Sequence, residues 1–260
     1  MTARAVARIL LLISAAGLLA ACPKPARPPA PVPESIPPSA PARELPGTAT
    51  YEVNPQASTL HILVYRGGAL ARLGHNHVMS VRGLQGRVWM HATFAKSGFD
   101  VAFPVAQIVV DDPDARRAAG SDFPPDIPQA DRDGTRRNML RAEVLDAERY
   151  PQIELKSVAV TGSMQQPAVT ARITIRDVSR DVQLRPTLSI DGKRMTIAGE
   201  LELLQSDFGI EPFSAALGAL TVKDGLHVKF SVVAEKKQAV TSSAGSHPRS
   251  RQHRTHRVAR

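Results

Sequence analysis

Cysteine is nearly absent: the 260 residues contain a single one, at position 22. That excludes an internal disulfide framework and any zinc site built on several thiolates. No apolar run approaches the ~20 residues that a membrane-crossing helix needs. The run from Ile9 to Ala20 is about a dozen long. A nucleophile motif, a glycine-rich phosphate loop and a paired-carboxylate signature are also missing. Charge of one sign is scarce where it would matter. The formal net charge of +9 suggests a polyanion binder, but it is concentrated at the ends of the chain. Residues 236–260 carry seven Lys/Arg and no acid, whereas residues 48–235 carry 21 basic and 22 acidic side chains. The central segment is neutral, and no nucleic-acid partner is expected. Apolar residues are plentiful at 43%, enough for a sizeable core, which excludes wholesale disorder.

The ends read as address and tether. Arg4 and Arg8 precede the short apolar run, as in an export signal over residues 1–21. The run closes on Leu19, Ala20, Ala21 and Cys22, which resembles a bacterial lipobox. Cys22 is therefore the expected lipidation site, and its acyl chains would anchor the protein in a membrane. Pro23 in place of an acidic residue favours the outer membrane, facing the periplasm of the cell envelope. Residues 22–47 form the lipidated cysteine and a tether holding ten of the 21 prolines. Such a stretch forms no helix or ladder and reaches up to roughly 75 Å at about 3.1 Å per residue. Residues 236–260, rich in Ser, His and Arg, read as a disordered basic tail able to contact anionic lipid. His247, His253 and His256 in that tail make only a poor metal site.

Residues 48–235 alternate repeatedly with period two. Val169, Ala171, Ile173 and Ile175 share one face opposite Thr170, Arg172, Thr174 and Arg176. Leu226, Val228, Phe230 and Val232 alternate with His227, Lys229 and Ser231, and Leu60, Ile62 and Val64 repeat the pattern. Val88 with Met90, and Met195, Ile197, Leu201 and Leu203, do so too. Half-buried antiparallel strands are expected, about eight in number. They fall at 51–54, 59–66, 78–92, 98–112 with a break near Pro104, 152–162, 168–177, 180–205 and 226–235. The 180–205 stretch reads as a hairpin turning at Asp191 and Gly192. One helix is expected, over Thr135–Ala147, and one short turn within Pro212–Leu220. Residues 111–133, with seven Asp and four Pro, read as a long acidic loop. The fold class is all-β, a barrel or a sandwich.

Several stretches resemble the YceI-like family of bacterial lipid- or polyisoprenoid-binding proteins. They are Tyr51–Ser58 (YEVNPQAS), Gly86–Met90 (GRVWM), Met139–Ser157 with its Tyr150–Pro151 turn, and Ser206–Ile210 (SDFGI). The resemblance implies an eight-stranded antiparallel, lipocalin-like barrel with one inserted helix, holding an isoprenoid or other amphiphilic lipid lengthwise without catalysis. Each buried CH₂ of such a chain contributes about 0.8 kcal/mol. Candidate ligand-lining residues are Ile62, Val64, Val88, Met90, Ile173, Ile175, Leu201, Leu203, Val228 and Phe230, with Met139 and Phe208 closing the tunnel. The same side chains would equally serve as a solid core. Arg136 and Arg137 either meet an anionic head group or form a solvated helix face.

One local feature stands apart. In extended chain His75 and His77 project to one face, close enough to share Zn²⁺ or Cu²⁺. Such a site needs one or two further ligands from His61, His91, Asp111 or Asp112, and spacing alone does not select among them. Loop-stabilising hydrogen bonds and acid–base work are the competing readings of the pair.

Overall fold

The structure, a computed structural model, describes residues 47–236. Cys22, most of the proline-rich tether and nearly all of the basic tail lie outside the described residues. The strands are β1 (Thr48–Val53), β2 (Thr59–Gly67), β3 (His77–Val81), β4 (Gln85–His91), β5 (Gly98–Pro104) and β6 (Ile108–Val110). Two helices follow, α1 (Pro113–Ala119) and α2 (Gln129–Leu140). The chain continues with β7 (Gln152–Gly162), β8 (Pro167–Ile175), β9 (Val178–Leu184), β10 (Thr187–Asp191), β11 (Arg194–Leu204), β12 (Ser214–Ala215) and β13 (Leu220–Lys236). Among the described residues no helix is long and apolar enough to cross a membrane.

All ladders are antiparallel, as the alternation requires. The sheet runs β6-β3-β2-β13-β1-β4-β5-β7-β8-β9, with β10-β11 and β12 attached to β13. The 17-residue β13 is its spine. One edge of β13 pairs with β2 and then, nearer the C-terminal end, with β1. The other edge pairs with β11 over 11 residues.

The sheet is not closed: among the described residues no ladder joins β9 to β10 or β11. The expected 180–205 hairpin supplies the reason. Its Gly192 takes φ +57° and turns β10 into β11 as anticipated. Pro186, however, divides the first arm. β9 stays with β8, and the chain beyond Pro186 joins β11. Proline has no N–H to give a ladder and favours such strand ends.

The helical content also differs from the expectation. The acidic segment contains α1, whose N-cap Asp112 accepts hydrogen bonds from the amides of Asp114 and Ala115 at 3.0 and 3.1 Å, with Pro113 in the first turn. The second helix begins at Gln129, six residues before the expected start, and stops at Leu140. Arg141–Tyr150 forms turns instead, with Asp146 at φ +47°, and from them Val144 and Leu145 fold back onto the main core. That core contains Leu60, Val101, Phe103, Ile108, Ile153, Ile173, Phe208 and Val228. A smaller cluster joins Leu63, Val78, Ala115 and Phe123 beneath α1.

Candidate functional site: an apolar cavity and a histidine cluster

The inward faces of the strands do not meet completely. They leave a cavity of about 190 Å³. Ile62, Val88, Met90, Ile173, Ile175, Leu201, Leu203, Val228 and Phe230 line it. The cause is register: Val228 of β13 stands opposite Ile62 on one side and Leu201 on the other, so three adjacent strands present apolar groups to one face. Val64, Met139 and Phe208 do not line the cavity. Val64 and Phe208 are buried in the same core cluster that contributes to the cavity wall, and Met139 packs against that cluster. The expected closure of a tunnel by Met139 and Phe208 is therefore corrected, because α2 ends at Leu140 and lies on β6 rather than over the cavity.

Further lining residues were legible in kind though not singled out. Phe99, Val101 and Phe103 of β5, and Ile153 and Leu155 of β7, share the same period-two pattern. Leu184, Pro186, Leu188 and Ile197 carry the lining to the unpaired margin between β9 and β10–β11. Polar groups at the wall are engaged elsewhere. The Trp89 indole donates to the carbonyl of Lys96 at 3.1 Å, and the Ser97 hydroxyl accepts the amide of His91 at 3.0 Å. No charged side chain is among the lining residues. Chemically the cavity is suited to burying hydrocarbon. Arg136 does not face it: its guanidinium donates to the carbonyls of Ile108 and Ala106 at 2.9 and 2.8 Å, docking α2 on β6.

A second constellation lies at the start of β3. His75 sits in the loop before the strand and His77 is its first residue. The β3–β6 ladder brings Asp111, 34 positions away, alongside them. Asp111 takes φ +55° and is fully buried. One carboxylate oxygen accepts the Val78 amide at 2.9 Å and an ion-paired Arg116 guanidinium; the other meets His77 Nδ1 at 2.7 Å. Arg116, also fully buried, donates to the carbonyls of Asn76 and Pro124, both at 2.6 Å. The rings of His75 and His77 meet edge to face with centroids 4.7 Å apart. Burial would push the Asp111 carboxyl up, but the His77 hydrogen bond and charge, the Val78 amide and Arg116 together hold it below its ordinary value. Burial, then the neighbouring His77, pushes His75 down from its ordinary value.

Of the four further ligands that the sequence left open, only Asp111 converges on the pair. Ligating atoms of His75, His77 and Asp111 lie within 4.8 Å of one another. His61 Nδ1 pairs with the Ser80 hydroxyl at 3.1 Å, the His91 ring accepts the Thr93 amide at 2.8 Å, and Asp112 caps α1. The buried Asp111–Arg116 pair was not legible in the sequence, although Asp112-Pro113 was a readable helix start that would have placed Arg116 on α1.

Comparison with known proteins fits this architecture. Structurally the chain is similar to BcnA of Burkholderia cenocepacia, with a TM-score of 0.51 and 16% identity over 70% of this chain and 99% of that one. The YceI protein of Campylobacter jejuni gives a TM-score of 0.44 and 14% identity, covering 61% of this chain and 84% of that one. No curated protein is matched in sequence. The profile of the YceI-like domain matches residues 51–234, which take in at least part of every ladder described above, and the chain therefore belongs to the YceI-like family.

Proposed function

We propose that this protein binds the apolar chain of an isoprenoid or fatty amphiphile in the β-sheet cavity, without catalysis, as an envelope carrier, store or sensor. The observation that carries the reading is the lining itself: apolar side chains from nine strands surround a space with no charged group. Such a wall gains about 0.8 kcal/mol per CH₂ it removes from water, so affinity needs no polar anchor. The volume sets a limit. A space of about 190 Å³ is below the roughly 300–1,000 Å³ of pockets that enclose a drug-sized ligand. A long chain therefore occupies the cavity in part and leaves through the unpaired margin at Leu184, Pro186, Leu188 and Ile197. The envelope setting rests on the lipobox-like stretch ending at Cys22 and on the proline-rich tether. Acylated Cys22 would hold the domain at the outer membrane, and the basic tail would add contact with anionic lipid.

The test is organic extraction and mass spectrometry of the full chain isolated from a bacterial envelope. About one apolar molecule per chain is expected. It should be lost from Phe230→Asp and from Leu201→Trp, which fills rather than charges the space, with circular dichroism confirming that both fold. At a probe concentration one hundred times Kd, palmitate or geranylgeraniol should stabilise the native state by about 2.7 kcal/mol. Lipid-free protein with no thermal shift from either probe refutes the reading.

A further inference from the structure

We propose that His75, His77 and Asp111 form a binding site for a late first-row divalent cation of the Zn²⁺ or Cu²⁺ type, separate from the lipid cavity. None of the three lines that cavity, so the site stands or falls independently of lipid binding. Four observations carry it. The donors converge within 4.8 Å, while a tetrahedral Zn²⁺ with ligands at 2.0–2.2 Å separates its donors by about 3.3 Å. His77 Nδ1 and Asp111 Oδ2, at 2.7 Å, need open only slightly to admit an ion between them. The remaining movement falls on His75, which belongs to a loop and not to a ladder. Finally, His75 Nε2 is buried with no hydrogen-bond partner, an unmet polar group of the kind that a bound ligand satisfies.

The surroundings have the form of an outer shell. Arg116 and the Val78 amide hold Oδ1 of Asp111, which leaves Oδ2 directed at His77. Backbone carbonyls of Asn76 and Pro124 in turn hold Arg116. Ligand-orienting partners of this type fix the geometry of the ligating group. Imidazole with carboxylate suits Zn²⁺ and Cu²⁺ rather than Mg²⁺ or Ca²⁺, which prefer oxygen-only sets. Three protein donors leave a fourth position for water or an exogenous ligand. Metal entry replaces the hydrogen bond between His77 Nδ1 and Asp111 Oδ2, and a neutral His77 meets this by carrying its N–H on Nε2, which leaves the Nδ1 lone pair for the ion.

The experiment uses the full chain with His247, His253 and His256 replaced by Gln, which removes the tail imidazoles as competitors. After chelator treatment, Zn²⁺ and Cu²⁺ are each titrated by calorimetry and Co²⁺ by visible absorption. One Zn²⁺ per chain is expected, with the intense visible bands of low-coordinate Co²⁺. His75→Ala, which removes no hydrogen bond from Nε2, should keep the fold and weaken Zn²⁺ binding at least tenfold. Asp111→Asn should weaken it as well, and Mg²⁺ should not compete. Absence of stoichiometric Zn²⁺ and Cu²⁺ binding overturns the proposal. So does unchanged affinity in a folded His75→Ala variant.

Discussion

Val228→Thr isolates the dryness of the cavity, because it exchanges a methyl for a hydroxyl with almost no change of shape. Val228 is 7% exposed and lines the cavity. Its neighbours across both ladders, Ile62 and Leu201, are apolar and line it too. The strand backbone on either side is already paired, so the new hydroxyl meets hydrocarbon. An unpartnered hydroxyl in such a place costs about 1–3 kcal/mol. For a domain of this size each kcal/mol lowers Tm by about 2–4 °C, which gives a fall of about 2–12 °C. Thermal circular dichroism of the full chain measures it, and Lys229→Thr on the exposed face is the control, expected within about 0.5 kcal/mol of the parent. The thermal shift produced by palmitate should shrink in Val228→Thr and not in the control. A Tm equal to the parent's would mean that the hydroxyl finds water, and a wet cavity would undo the argument for hydrocarbon binding.

Gly199 faces Phe230 across the β11–β13 ladder, and a methyl there would stand 2.9 Å from the ring's Cζ. Gly199→Ala should push the ring toward the cavity, lowering palmitate uptake in a binding titration. Ile173→Ala, at a side chain 3% exposed, should cost about 2–5 kcal/mol by denaturant unfolding, and part of that loss should return on adding geranylgeraniol. Asp112→Ala removes the α1 cap and should cost about 0.5–2 kcal/mol in the same assay. Burial and the Arg82 cation push His61 below its ordinary value of 6.5. Its neutral form is therefore favoured by folding, and the contribution is intact above pH 6.5 and declines as pH falls below it. NMR titration should place His61 below 6.5, and Arg82→Gln should raise it.

Much of the wall was legible in residue order. Alternation in β8 and β13 reports which side chains share a face, and Ile173, Ile175, Val228 and Phe230 do line one space. Asp191-Gly192 marked its turn because φ > 0 is needed there and glycine supplies it. Patterning failed where local signals were misread or overruled. Asp112-Pro113 looked like loop chemistry but is a capped helix start. Val144 and Leu145 had helical spacing, yet the chain leaves the helix at Leu140 and brings them to the core by turns.

The sequence by itself determined the antiparallel β class, the faces of the strands, the neutral charge of the central segment and the proximity of His75 to His77. These follow from short-range periodicity, in which neighbours two apart necessarily share a side. Only the tertiary structure decided that Asp111 rather than Asp112, His61 or His91 meets the pair, that Val64 and Phe208 are buried without lining the cavity, and that Pro186 leaves β9 unpaired with β11. Those outcomes depend on which strands pair and in which register. Period two states a side chain's face and carries no information about the partner across the sheet.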